Sequence, residues 1–261
     1  MKSAKKWLSA VLACLLGLAT ACGESAGAPA MSPEPASSRP TSASRLCRVV
    51  AGAEENNLLL ADLEGSGEIY RLSLEGLTVQ DEEGKPAQPE NGMEVRVEYS
   101  GEENLTSPAT FREPTALTVT GEKENLCCLY LQVLKDIWQA DAGLNEGISQ
   151  VGVDLSATSL SESEQAGVIW AFGESVGLFP LAGTYQELKE EGYITEVDGF
   201  PAWEDGCLLT IEEKESTGEE LLFDAKKWRS GTGAILWIDC AAQYVAPSQW
   251  GEYQPGVWAM A

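Results

Sequence analysis

The chain has 261 residues, of which 41 are acidic, 17 are basic and none is histidine, so its formal net charge is −24 at pH 7. The lack of histidine excludes Ser-His-Asp and Cys-His mechanisms, histidine-ligated zinc and histidine-based pH switching. The acidity argues against nucleic-acid binding, which needs Lys and Arg to displace counterions.

The first 21 residues predict an export signal. Three lysines precede an almost wholly apolar stretch at residues 7–21, which has the charged and hydrophobic regions of a signal peptide and is short for a membrane span. It ends in "LATAC", and small residues before a cysteine resemble the lipobox of bacterial lipoproteins. The resemblance implies cleavage after Ala21, lipid attachment to Cys22 and a stable anchor at the extracytoplasmic face of the cell membrane. An ordinary secretory signal that is cleaved near Ala21 is the alternative.

Residues 22–45 predict a lipid-anchored flexible tether. They consist mostly of Ala, Ser, Pro and Gly and show no apolar periodicity. Such a segment cannot bury enough apolar surface to offset the entropy lost on ordering.

Residues 46–120 predict a small OB-like β domain. Polar and apolar residues alternate in "EIYRLSLEG" and "MEVRVEYSG", and turn sequences separate five or six such segments without a helix signal. So many strands in so short a segment favour a closed or partly closed β-barrel. This order of strands, with its Gly-Met-x-Val-x-Val core at residues 92–97, resembles small OB-like domains in exported proteins of Gram-positive bacteria. The resemblance implies a fold and no catalytic residue.

Residues 121–261 predict an α+β domain with three helices followed by an antiparallel sheet. Apolar residues recur at helical spacing between Leu126 and Trp138, which indicates an amphipathic helix closing near Gly143. Ser161 or Ser159 can cap a second helix. Thr184-x-x-Glu187 is a capping box that predicts a third.

From residue 206 onward, apolar segments follow Asp-Gly and Thr-Gly turn signals, which indicates antiparallel strands. Helices followed by such a meander favour a curved sheet around a long helix, as in cystatin-like or NTF2-like folds. Residues 125–261 also resemble uncharacterised lipoprotein-associated domains of Clostridia-type bacteria. That resemblance implies no activity.

Five cysteines remain beyond Cys14 and Cys22, and no two of them have the Cys-x-x-Cys spacing of a redox or metal site. Export permits disulfides, but buried free thiols that pack as small hydrophobes suit the sequence equally well. If one bridge exists, we expect it between Cys207 and Cys240, since both lie in candidate strands of one sheet.

The most basic stretch is "KKWRSGTGA", residues 226–234. Lys227, Trp228 and Arg229, followed by a glycine-rich segment, form a candidate contact for an anion or another ligand, because cationic side chains and backbone amides both attract negative charge. The alternative is a strand connection in which glycines form a bulge and Trp228 packs.

The segment "GESVG" at residues 173–177 fits the G-x-S-x-G pattern of hydrolase nucleophiles, with Ser175 in the nucleophile position. That motif needs a strand before the serine, whereas a helix pattern leads into it here, and no histidine exists to accept the proton. A Ser-Lys pair with Lys189 is the remaining enzymatic interpretation. We interpret the segment as a helix end at Gly173 or Gly177, with Ser175 as a turn residue.

These patterns predict a binding or interaction module at the cell envelope rather than an enzyme, without a cofactor or metal site. The partner could be an envelope protein, a glycan or a small ligand. The alternative is a carboxylate-dependent hydrolase acting on a wall glycan, although the abundance of acidic residues prevents the choice of a catalytic pair. Tryptophans suit either a sheet core or a sugar- or peptide-binding cleft, and five fall near the C-terminus: Trp203, Trp228, Trp237, Trp250 and Trp258.

Overall fold

The computed structural model describes residues 42–214, 217 and 219–260. The predicted signal peptide, Cys22 and most of the predicted tether lie outside the described residues. The first strand begins at Ala43, inside the segment expected to be tether, because residues 43–45 pair with residues 97–99 of another strand.

The first half of the described chain forms a six-stranded sheet in the order β3-β2-β1-β5-β8-β4, with a separate two-stranded pair of β6 and β7. The strands are β1 (Ala43–Ala51), β2 (Asn57–Asp62), β3 (Ile69–Ser73), β4 (Thr78–Asp81), β5 (Met93–Tyr99), β6 (Glu103–Asn104), β7 (Thr110–Phe111) and β8 (Ala116–Lys123). The two outer strands, β3 and β4, follow one another in the chain, and β4 runs parallel to β8. Within residues 43–123 no strand ladder joins β3 to β4, so the predicted closed barrel is not shown.

The second half contains three helices and a larger sheet. The helices are α1 (Leu126–Ala140), α2 (Glu162–Val176) and α3 (Tyr185–Glu190). The strands are β9 (Gln150–Ala157), β10 (Pro180–Ala182), β11 (Thr195–Val197), β12 (Phe200–Ala202), β13 (Gly206–Glu213), β14 (Glu220–Ser230), β15 (Gly233–Ala246), β16 (Gln249–Gln254) and β17 (Val257–Met260). The described chain is thus rich in sheet with few helices, an α+β fold. Among the described residues, no helix combines the length and apolar character that crossing a bilayer requires.

The larger sheet is mixed rather than wholly antiparallel. From β13 to β15 the strands form the expected antiparallel meander, and β16 and β17 both pair with β15. β9, which the sequence interpretation missed, lies parallel to both β13 and β10. The segment β9-α2-β10 is therefore a crossover that places α2 against the sheet.

The predicted helix starts are confirmed at two positions. Ser161 and Glu164 form a reciprocal capping box at the start of α2, and Thr184 and Glu187 form another at the start of α3. α2 extends through Ser175 and ends at Gly177, whose positive φ of 70° suits glycine.

One hydrophobic core joins both sheets through the helices. It includes Val50, Leu59 and Ile69 of the first sheet together with the apolar faces of α1 and α2 and the inner face of the larger sheet. Gly167 of α2 packs so closely on Val50 that a Cβ atom there would lie 2.8 Å from a Val50 methyl group. The described residues accordingly form one compact unit.

A buried ion cluster also holds the two halves together. The guanidinium group of Arg48 on β1 lies 3.2 Å from Glu94 on β5, 3.1 Å from Glu124 and 3.4 Å from Glu164 on α2. The Arg48 side chain is only 7% exposed. Burial is the largest cause that raises the pKa of Glu124, and the charges of Glu164 and Glu94 raise it further, against the opposing effect of Arg48.

We predict that Arg48→Met lowers the free energy of unfolding by about 3–5 kcal/mol, because it leaves three carboxylates without their shared cation. Arg112→Met is the matched control, since the Arg112 side chain is 53% exposed and pairs with Glu102 at the surface. It should cost about 1 kcal/mol or less. Chemical denaturation of the purified proteins measures both.

The pH dependence provides a second readout. Without Arg48, the folded-state pKa of Glu124 rises further, because the charge that opposes its increase is removed. The native state then binds protons more tightly than the unfolded chain. The destabilisation should therefore shrink as pH falls from neutral towards the ordinary carboxylate range. Equal costs for the Arg48 and Arg112 variants at every pH would contradict the proposed role.

Candidate functional site: the groove between α1 and β16

The predicted anion contact at residues 227–229 is wrong, because its cations serve the fold. Lys227 is fully buried, and its Nζ donates to the carbonyl oxygens of Trp138 at 3.0 Å and Asp141 at 2.8 Å. These carbonyls belong to the end of α1, where a cation is favourable to the helix dipole. The same Nζ lies 5.2 Å from the centre of the Trp138 ring. Burial lowers the pKa of Lys227.

The neighbours of Lys227 have similar structural roles. Arg229 donates to the carbonyl oxygens of Leu144, Glu146 and Glu204 and so fastens the loop after α1 to the sheet. Trp228 is buried and packs edge-to-face on Tyr185 at 5.1 Å.

The expected bridge between Cys207 and Cys240 is also wrong. All five cysteines of the described chain carry free thiols. In the register of the sheet, Cys207 lies beside the end of β14 near Trp228, whereas Cys240 lies opposite Phe223. These positions are roughly 20 Å apart along β14 at about 3.4 Å per residue, whereas a disulfide needs Cα atoms within about 7 Å.

Ser175 lies in the last turn of α2 and is not presented on a strand-to-helix turn. Its hydroxyl donates to the carbonyl oxygen of Phe172 at 2.7 Å, a common helical arrangement. The interpretation of "GESVG" as a helix end is confirmed, with Gly177 as the terminator, whereas the expectation that Ser175 is a turn residue is wrong because α2 continues through it.

The structure separates the five C-terminal tryptophans into two groups. Trp203, Trp228 and Trp237 are buried in the cores. Trp250 on β16 is half-buried, and Trp258 on β17 is 53% exposed. The two accessible tryptophans both lie on the outer strands beside β15, so the accessible aromatic surface of this group is at one edge of the sheet.

A groove of about 590 Å³ lies between α1 and β16. We call it the α1–β16 groove, and it is lined by Asn125, Cys128, Leu129, Gln132, Asp136, Trp250, Gly251, Glu252 and Tyr253. Cys128, Gln132 and Asp136 lie four residues apart on one face of α1, since residues at i and i+4 are neighbours on a helix surface. The opposite face of α1 carries the core residues Tyr130 and Leu134.

Asn125 fixes the strand that carries Trp250. Its Nδ2 donates to the Trp250 carbonyl oxygen and its Oδ1 accepts from the Trp250 backbone N–H, both at 2.7 Å. Asn125 is the residue before α1, yet its side chain makes no capping hydrogen bond to the helix. The Asn125 side chain therefore holds the backbone of Trp250 beside the groove instead of capping the helix.

Asp136 organises the middle of the groove. One carboxylate oxygen accepts from Gln132 Nε2 at 2.7 Å, and the other accepts from the Tyr253 hydroxyl at 2.7 Å. Burial first and this hydrogen bond second raise the pKa of Tyr253, so it remains a neutral phenol. The amide of Gln132 is thereby oriented, and its oxygen remains available as an acceptor.

A larger cavity of about 780 Å³ lies on the first sheet, between the β1–β2 turn and the loop after β4. Its polar lining includes Glu55, Asn57, Glu75 and Gln88, but no aromatic residue. Across the described residues, no group of three or more cysteine, aspartate or glutamate side chains is arranged to hold a metal ion. We therefore regard the α1–β16 groove as the candidate site, since it alone of these two cavities combines aromatic and polar lining.

The sequence contains local signals of this site on two separate segments. The polar residues at positions 128, 132 and 136 recur at helical spacing, and "QWGEYQ" places Trp250 and Tyr253 close together among polar residues and glycine. Nothing in the sequence places one segment beside the other, because they are separated by more than one hundred residues.

We predict that Lys227→Met lowers the free energy of unfolding by about 2 kcal/mol or more, because two buried carbonyl oxygens lose their charged donor. Lys226→Met is the matched control, since Lys226 is the exposed neighbour on the same strand. It should have little effect. If both variants unfold at the same denaturant concentration, Lys227 does not stabilise the end of α1.

Comparison with protein-family models, curated proteins and solved structures finds no match for this chain. The chemistry of the groove is therefore the basis for assigning a function.

Proposed function

We propose that the protein binds a neutral glycan in the α1–β16 groove. The observation that carries this proposal is the juxtaposition of a backbone-anchored Trp250 with the oriented amide and carboxylate of Gln132 and Asp136. An aromatic ring offers an apolar face to the C–H side of a sugar ring. An amide can both donate to and accept from the sugar hydroxyls, and a carboxylate accepts from them. Glu252 provides a further acceptor in the same groove.

The charge of the groove favours an uncharged ligand. Asp136 and Glu252 both contribute carboxylates to the lining, and the whole chain has a net charge of −24. An anionic polysaccharide would be repelled by both the local and the overall charge. A neutral sugar can instead donate its hydroxyls to the carboxylates.

The outer edge of β16 and β17 is poorly suited to an extended peptide. The pairing of β15 with β16 is irregular at two points, and Pro255 interrupts the edge between β16 and β17. A peptide that adds a strand needs a continuous row of backbone groups. The broken edge therefore supports recognition by side chains.

The remaining sequence predictions concern the location of the protein and the relation of its sheets to known folds. We propose that the mature chain is anchored by a lipid on Cys22 at the extracytoplasmic face, with the binding unit held outside the membrane. We also propose that the first sheet is OB-like. β3 and β4 follow one another in the chain and form its two outer strands, so together they correspond to one interrupted strand, and β4 lies parallel to β8. A cystatin-like or NTF2-like relation of the larger sheet is supported by the meander from β13 to β15 that packs on α1.

A hydrolase acting on the same glycan is the second candidate, because Asp136 and Glu252 both line the groove. In such an enzyme Glu252→Gln would abolish release of products. In a binding protein that substitution only weakens binding, and no product forms.

We predict that Gln132→Ala weakens binding of N-acetylglucosamine oligomers about fivefold, through loss of roughly one net hydrogen bond. Trp250→Ala should weaken it about tenfold or more through loss of the stacking surface. Titration calorimetry of the purified mature protein measures both affinities.

Gln139→Ala is the matched control, because Gln139 is an exposed residue of the same helix outside the groove. It should bind like the unchanged protein. Oligomers of galacturonic acid should not bind, because they are anionic. Equal affinities for the Gln132 and Gln139 variants, or tight binding of the acidic oligomers, would contradict the proposal.

We predict that Cys22→Ala either releases the protein from the membrane or blocks its processing, because the acylated thiol is removed. Fractionation of cells into membrane and medium, followed by immunoblotting, measures the outcome. Cys14→Ala is the control and should leave the protein anchored. A Cys22→Ala protein that is cleaved normally and still fractionates with membranes would disprove lipidation at this residue.

A further inference from the structure

We infer that the ligand is a polymeric glycan that continues from the α1–β16 groove along the sheet edge to a second aromatic platform at Trp258. This inference rests on the proposed function and specifies the class of ligand. β16 and β17 lie one after the other along the same edge of β15, because β14 occupies its other edge. The groove and Trp258 therefore belong to one continuous border of the molecule.

The register places the aromatic residues of this border on one face of the sheet. Trp258 lies opposite Trp237 and Tyr253 lies opposite Ala242, and both of these β15 residues belong to the core beneath the helices. Directly opposed residues of antiparallel strands project to the same face. Trp250 packs against the same core, so it too lies on the face that α1 covers.

The buried ring of Trp237 lies between the two accessible aromatic positions, Tyr253 and Trp258. Tyr253 lines the groove, and its ring centre lies 6.4 Å from that of Trp237. Trp237 is the cross-strand neighbour of Trp258. A chain that leaves the groove past Tyr253 meets Trp258 next along this border.

The exposure of Trp258 is otherwise unexplained by packing. It is 53% exposed, although its partner Trp237 is only 5% exposed, and Met260 beside it is 70% exposed. Trp258 and Met260 together form an exposed apolar patch, and contiguous patches of this kind mark interaction sites.

The span between the two platforms determines the length of the ligand. On β15, the residues opposite Trp250 and Trp258 are Tyr244 and Trp237, seven positions apart. At about 3.4 Å per residue this is roughly 24 Å. One or two sugar residues cannot contact both platforms, whereas an extended oligosaccharide can.

A second copy of this chain is a weaker candidate for the same surface. Each copy carries a net charge of −24, so two copies repel one another. The edge is also broken where Gly256 meets the Ile238 carbonyl oxygen, at a distance that leaves no room for a Cβ atom. A neutral chain that contacts side chains meets neither obstacle.

The test compares affinity with chain length for Trp258→Ala, using N-acetylglucosamine oligomers from the dimer to the octamer. In the unchanged protein, affinity should rise with length. Trp258→Ala should bind the dimer normally and bind the octamer about tenfold more weakly, as expected for loss of one stacking contact. Phe200→Ala is the control, because Phe200 is a 68% exposed aromatic residue on the distant strand β12.

Three results would overturn the inference. Trp258→Ala could bind every length like the unchanged protein, it could weaken the dimer as much as the octamer, or Phe200→Ala could produce the same loss. In each case binding of the dimer by the unchanged protein would leave the proposed function standing. Failure of the unchanged protein to bind any length would instead overturn both proposals.

Discussion

The structure depends on how α1 is fixed between the two sheets. The apolar face of the helix forms the centre of the shared core, with Tyr130 and Leu134 completely or almost completely buried. Each end is then tied to the larger sheet. Asn125 holds the backbone of β16 at the start, and Lys227 on β14 donates to the last carbonyls. Because both ends are tied to the larger sheet, the polar face of α1 is held beside β16, and a groove with oriented side chains results.

Local features of this fold could be predicted from the sequence, whereas features that depend on distant contacts could not. The capping boxes that begin at Ser161 and Thr184 each consist of two residues three positions apart, so the local sequence is sufficient to predict where these helices begin. β9 was missed although Val151, Val153 and Leu155 alternate with Gly152, Asp154 and Ser156, a pattern that indicates a strand. Its parallel partners, β10 and β13, lie farther along the chain and cannot be identified from the local sequence. The groove was missed for a similar reason, since Asn125 contacts Trp250 only after the chain has folded. The basic stretch was misread because the carbonyl partners of Lys227 are 89 and 86 residues away.

The distribution of cations explains why a basic stretch in an acidic chain need not bind anions. Arg48 and Lys227, which are buried, are each engaged by carboxylates or carbonyl oxygens of distant segments. Arg229 is engaged in the same way. Burial of a cation is tolerated only when such partners replace water. These cations therefore connect elements of the fold, and the acidic residues dominate the surface that a ligand meets.

This distribution also bears on how the protein can expose Trp258 and Met260 on an outer strand. Such a strand risks pairing with another molecule, and natural sheets reduce that risk with charge, proline and irregular pairing. All three are present here: the exposed Glu252 lies on β16, Pro255 precedes β17, and the pairing of β15 with β16 is irregular. These features oppose association through the backbone but leave the aromatic faces accessible. The edge therefore presents aromatic side chains without a continuous row of backbone groups for strand addition, as the proposed glycan-binding border requires.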